Sequence, residues 1–134
     1  MLTADGLSRL TSLIIGGGSQ SASATATRLG VGDGTTAATI GDADLSAAAG
    51  PTHRWFMPLD ATYPTQTAGV LTFKATFASA DANFAWTEWA VDIDTPIVGA
   101  SATVGAVLLN HKVSSLGTKT AGSSWALTTN ISIS

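Results

Sequence analysis

The chain has 134 residues, enough for one domain with its own core and too few for two. Charged residues make up 11%, against roughly 25% in an average soluble domain, and the net charge is -3 with a pI near 4.9. With 6 Lys and Arg in all, no basic patch exists to neutralise a phosphate backbone, so no nucleic-acid partner is expected. Cysteine is absent, which excludes disulfides, thiolate metal sites and a thiol nucleophile. Mean hydropathy is high at +0.30, yet there is no run of about 18 apolar residues, so no membrane span is expected. No basic segment precedes the first apolar stretch, and no secretory signal is expected. Ala (23), Gly (14) and Ser plus Thr (34) dominate instead. A surface this poor in charge favours a component that partners cover.

Residues 1–15 predict a short helix, because Leu7, Leu10, Leu13 and Ile14 recur on one helical face. Thr3 or Asp5 is positioned to cap its start, and Gly16, Gly17 and Gly18 end it. Such a helix either packs on the core or docks as an arm on a neighbouring subunit. Residues 16–27 predict a flexible linker or a weakly specified first strand. Residues 28–50 hold few large apolar side chains and predict a long ordered loop, with Leu45 as its anchor.

From residue 52 the pattern is β. Residues 52–59 predict a short strand carrying Trp55 and Phe56 and stopped by Pro58. Residues 69–78 alternate, with Leu71, Phe73, Ala75 and Phe77 on one face and Thr72, Lys74 and Thr76 on the other. Residues 79–83 predict a turn. Residues 83–94 predict a strand covered on both faces: Ala85, Thr87, Trp89, Val91 and Ile93 on one, Phe84, Trp86, Glu88, Ala90 and Asp92 on the other. Residues 97–109 predict a strand pair or one bent strand, with bends at Gly99 and Gly105. Residues 110–119 end in a turn. Residues 124–134 predict a last strand with Trp125, Leu127, Thr129, Ile131 and Ile133 facing inward. The expected fold is mainly β: an antiparallel β-sandwich, or small barrel, of about six to eight strands with a short N-terminal helix or arm. Residues 1–27 form the helix or arm and linker, and residues 28–134 the β-sandwich domain.

Catalytic patterns are missing. GVGDGTT at 30–36 lacks the Gly-Lys-Ser/Thr of a phosphate loop, and its glycines are read as turns requiring positive φ. His53 and His111 lack a nucleophile elbow and are expected to hydrogen-bond at strand ends. Glu88 would be costly to bury alone and is expected to pair with Arg28, Arg54 or a backbone amide. Asp33, Asp42 and Asp44, with Asp92 and Asp94, offer oxygen ligands for calcium but match no EF-hand spacing, so capped turns are favoured. Trp55, Trp86, Trp89 and Trp125 would stack on sugars if exposed, and are core residues if not. No enzyme activity, metal or cofactor is expected.

Three segments carry a resemblance. LGVGDGTTAATIGDADL at 29–45 resembles the pattern L-x-V-G-x-G-T-T-x-P-x-x-x-D-x-x-L found in tailed-bacteriophage virion proteins. NFAWTEWAV at 83–91 is similar to that family's x-W-x-E-W-G-(V/L/I) strand. LLNHKV at 108–113 with LGTKTAGSSWALTT at 116–129 is similar to its closing L-N-R-K-x…L-G-T-K-x-x-G-x-x-W-x-L-T. Order and spacing agree over residues 29–134. Ala38 stands where the pattern often has proline, Ala90 where it has glycine, and His111 where it has arginine, so a permanent charge is lost there.

The resemblance implies a β-rich, non-enzymatic bacteriophage virion structural protein. The expected role is a capsid decoration or cement protein on the outside of the head, partnered by the major capsid protein and assembled in the host cytoplasm. Self-association as a trimer or dimer is expected. A tail, baseplate or fibre-attachment protein is the first alternative, and a carbohydrate-binding receptor module the second. The expected contact residues are Leu7, Leu10, Leu13 and Ile14 of the arm and Val31, Asp33, Thr35 and Thr36 of the glycine-rich segment.

Overall fold

The computed structural model describes residues 1–17, 21–93, 100, 102 and 107–133. The bends expected at Gly99 and Gly105, most of the expected 97–109 strand, and Gly18, Asp94 and Ser134 lie outside the described residues.

One helix, α1 (Ala4–Ile14), precedes seven strands: β1 (Thr27–Gly32), β2 (Arg54–Pro58), β3 (Thr65–Thr67), β4 (Val70–Phe77), β5 (Ala85–Ile93), β6 (Leu108–Thr118) and β7 (Trp125–Ser132). They form two antiparallel sheets, ordered β2-β1-β5-β6 and β3-β4-β7. Among the described residues no pairing joins one sheet to the other, so the architecture is two packed sheets and not a closed barrel.

The core fills the space between the sheets. Leu29 and Val31 of β1 and Trp89, Val91 and Ile93 of β5 meet Phe73, Ala75 and Phe77 of β4 and Leu127 and Ile131 of β7. These are alternate residues, as the pleat requires of a face packed on a second sheet. Phe77, Trp86 and Trp125 add an edge-on aromatic chain with ring centroids 4.8 and 5.1 Å apart.

Strict alternation places Trp86 and Trp89 on opposite faces of β5, but both lie in this one core. The reason is a register shift against β6. Trp86 pairs with Gly117 and Glu88 with Val113, so the ladder is irregular between the two tryptophans and strict alternation does not carry across it. Three other expectations change. Residues 27–32 are a strand, not part of a loop; β1 lies inside its sheet, hydrogen-bonded to β2 and β5 over its length. Its glycines masked it, since they lower strand propensity. Residues 108–118 form one continuous strand through the segment read as leading to a turn. β3, three exposed residues at the sheet edge, gave no alternation to detect.

Helix α1 is tied to the domain at its start. Thr3 caps it, its side chain accepting from the Gly6 amide, while its hydroxyl donates to the Leu108 carbonyl. Leu2 bridges to Asn110, and the backbone amide of His111 donates to the Met1 carbonyl. Gly6 is buried because the helix sits directly on β6: a Cβ there would lie 2.2 Å from the Leu109 carbonyl oxygen. The helix ends at Gly16, whose φ of 70° only glycine adopts cheaply. Leu10 packs on the core and Leu13 is half-buried, but Leu7, Ile14 and Ile15 are exposed, the last two at 84% and 83%. The helix thus packs on the domain through Gly6 and Leu10 and leaves Leu7, Ile14 and Ile15 exposed.

Gly6→Val is expected to lift α1 from β6 at a cost of about 1–3 kcal/mol, the range for overpacking a close contact. Urea unfolding would register the loss, and tryptic cleavage at Arg9 would quicken while the β signal in circular dichroism stays.

Candidate functional site

The outer face of the four-stranded sheet is also covered. Leu45, Phe56, Ala90 and Leu108 form a small second core there, with Leu45 buried as expected of the loop's anchor. The cover is the 33–53 segment between β1 and β2. Around that small core the chain concentrates its few charges.

Three strands supply the charged side chains, and pairing brings them into line. Arg28 of β1 lies opposite Asp92 of β5, and Ala90 of β5 opposite His111 of β6. The Arg28 Nη2 donates to Asp92 Oδ2 at 2.6 Å, with both side chains buried, and its guanidinium stands over the Phe56 ring at 5.5 Å. Glu88 is fully buried and collects four donors. Its Oε2 accepts from the Ser46 amide (2.9 Å), the Ser46 hydroxyl (2.8 Å) and His111 Nε2 (2.7 Å), and its Oε1 from the Ala47 amide (2.7 Å). The other ring nitrogen of His111, Nδ1, lies 2.6 Å from Asp42 Oδ2. Asp42 is held in turn by the amide and hydroxyl of Thr39. At the rim Arg54 of β2 pairs with Asp44 at 2.6 Å, and His53 with Asp33 at 2.7 Å.

With both ring nitrogens facing carboxylate oxygens, His111 is an imidazolium, since only the charged ring donates twice. The Glu88 bond raises its pKa above the ordinary 6.5 against the opposing effect of burial, and Asp42 adds to the rise. Burial pushes the Glu88 carboxyl up, but the bonds from His111, Ser46 and Ala47 outweigh it and hold it below its ordinary range. Asp42 falls to about 2, chiefly through its bond to His111 and then through Thr39. Burying such charges is unfavourable unless each is paired and hydrogen-bonded, and here each is.

The expected pairing of Glu88 with a backbone amide therefore holds, while Arg28 and Arg54 take aspartates instead. The glycines of the 30–36 segment also have a different reason from the one expected. Gly30, Gly32 and Gly34 are not among the positive-φ residues. They are glycine because there is no room for a side chain: a Cβ at Gly32 or Gly34 would lie 2.5 Å from Glu88 Oε1, and one at Gly30 would lie 2.3 Å from the Phe56 ring. The loop and the carboxylate are thus fitted to each other.

The expected contact residues separate. Val31 is fully buried in the core and presents nothing to a partner, a correction that follows from β1 lying inside its sheet. Asp33 is engaged by His53. Thr35 and Thr36 are exposed, as are Leu7 and Ile14, and the structure adds Ile15 and Ile40 to them. Ile40 is brought beside the start of α1 by a 2.7 Å bond from the Ala4 amide to its carbonyl. The aspartates of the loop do not converge: among the described residues no group of three His, Cys, Asp or Glu has metal-holding geometry. Trp86 and Trp89 are buried, and Trp55 and Trp125 pack half-buried against the core. A cleft of about 280 Å³ opens on the far side of the layer, between the β6 and β7 edges. Trp89, Lys112 and Asn130 are among its lining residues, and neither histidine is. No sequence pattern marks the Arg28–Asp92 pair, Ser46 or the clamp around His111. The one available signal was the solitary glutamate on a strand whose two faces both read as covered.

In comparisons with family models, curated proteins and solved structures, none matches the chain.

Glu88→Gln at pH 6 is expected to cost about 3 kcal/mol, because it leaves a buried cation and two amides short of a charged acceptor. Asp33→Asn, at a partly exposed pair, should cost under about 1 kcal/mol. Urea midpoints of the two variants would separate by at least the difference.

Proposed function

We propose that this chain is a non-enzymatic structural protein of a tailed-bacteriophage virion. In this reading it is a decoration protein bound to the outside of the major capsid lattice. The observation that carries the reading is where the resembling segments meet. Asp42 belongs to the 29–45 segment, Glu88 to 83–91 and His111 to 108–113, and these three side chains form one hydrogen-bonded chain. Gly32 and Gly34 of the first segment make room for Glu88 of the second. Two matched positions, Asp42 and Glu88, and the departing position His111 thus belong to one framework that holds a loop on a sheet, which supports a shared structural role better than three chance likenesses.

A protein of this kind acts through its surface. Leu7, Ile14, Ile15 and Ile40 are exposed apolar side chains on α1 and beside it, and Thr35 and Thr36 are exposed on the loop. Seated on a capsid junction, such a surface adds buried apolar area at each repeat; interfaces of about 800 Å² per partner suffice for specific binding. The lattice multiplies that gain over many copies. Removing residues 1–18 is a poor test of this surface, because Met1, Thr3 and Gly6 are built into β6.

Two measurements test the proposal. Quantitative mass spectrometry of purified particles should give a copy number comparable to that of the major capsid protein. A far lower ratio would move the protein to the tail or fibres, and absence would end the virion reading. The double variant Ile14→Lys, Ile15→Lys should stay within about 0.5 kcal/mol of the parent in stability, since both side chains are exposed. Its binding to undecorated capsids should nonetheless fall at least about tenfold.

A further inference from the structure

We propose that the 33–53 segment is a pH-gated flap, held on the sheet by the doubly bonded imidazolium of His111 and released when that ring loses its proton. The inference does not depend on what surface the protein binds.

The geometry makes the ring a bridge. Glu88, which takes Nε2, belongs to the sheet, and Asp42, which takes Nδ1, belongs to the loop. A neutral imidazole donates from one nitrogen only, so deprotonation turns a lone pair toward one of two carboxylates less than 3 Å away. The ring is 1% exposed and Glu88 0%, so on the Glu88 side no water is at hand to replace a lost bond, while Asp42, about a fifth exposed, can turn to solvent. Glu88 also accepts from the loop amides of Ser46 and Ala47, so one carboxylate ties both the ring and the loop to the sheet.

The neighbouring charges do not substitute for that proton. Arg28 of β1, on the same face, is engaged by Asp92 of β5. Arg54 of β2 is engaged by Asp44, and His53 by Asp33 at the rim. The Met1 ammonium donates to the His111 carbonyl, not to either carboxylate. Lys112 pairs opposite Trp89 and lines the cleft on the other face. Once His111 is neutral, Glu88 is left a buried anion with the partly exposed Asp42 nearby, beside an already paired arginine.

The sign follows from the three groups. The raised pKa of His111 means that its contribution is complete below the ordinary 6.5 and is lost as pH climbs through the raised value. Asp42 contributes fully above its ordinary 3.8 and loses its contribution as pH falls toward about 2. Glu88, also lowered, contributes fully above 4.5. The flap is therefore tightest between about pH 4.5 and 6.5 and opens on the alkaline side. Position 111 is where the resembling pattern carries arginine, a cation that does not titrate in this range. Histidine at this position makes the clamp depend on pH.

Amide hydrogen exchange on the full chain, corrected for the intrinsic pH dependence of exchange, tests this. Protection of the Ser46 and Ala47 amides should fall at least tenfold relative to the β4 amides between pH 6 and pH 9. His53→Gln should keep that fall, and His111→Arg should abolish it. An unchanged ratio in the parent protein, or the same fall in His111→Arg, overturns the proposal. Should His111→Arg fail to fold, the His111 ring is titrated by NMR in the parent. A ring midpoint coinciding with the amide transition supports the flap, and a ring midpoint away from it overturns the flap.

Discussion

Glu88 is the chain's single glutamate, and it is buried without any exposure. A carboxylate in that position must be given donors or it will not stay ionised. Much of the molecule is arranged around supplying them. The loop brings the Ser46 and Ala47 amides, β6 brings His111, and His111 then needs Asp42 for its second nitrogen. Gly32 and Gly34 lose their side chains to the space the carboxylate fills. A loop that holds no long apolar run is thereby fastened by one anchor, Leu45, and a set of charge-assisted bonds.

This arrangement explains the odd balance of the composition. The four-stranded sheet has an apolar face toward its partner sheet and an ionic face toward the loop, so β5 is buried along nearly its whole length. Arg28, Asp92, Glu88 and His111 are all enclosed, and Lys119 is enclosed as well, donating to Asn83. Much of a small charge complement is thus used inside. The exposed surface is rich in Thr, Ser and Ala, with large apolar side chains such as Leu7, Ile14 and Ile15 and charges such as Asp5 and Lys112.

The local patterns were legible where one period ran unbroken. The α1 apolar repeat, the β4 alternation with Phe73, Ala75 and Phe77 inward, and the β7 alternation with Leu127 and Ile131 inward all appear in the structure. Reading failed where a second requirement overrode the period. Gly30 and Gly32 break the apolar run of β1 and give it the pattern of a loop, and those glycines answer to Phe56 and Glu88 on other strands. Trp86 departs from the alternation of β5 where the ladder to β6 is irregular, and that irregularity has no local signature in β5.

The sequence by itself determined a mainly β domain, most of its strands, the capped helix and the inward residues of β4 and β7, because these depend on neighbours two to four places away. Only the tertiary structure decided that Asp42, Glu88 and His111 form one chain and that Arg28 belongs to Asp92. Those partners lie between 23 and 69 positions apart in sequence, and no local period encodes which charge meets which. Strand order does, by laying β1, β5 and β6 side by side under a single loop.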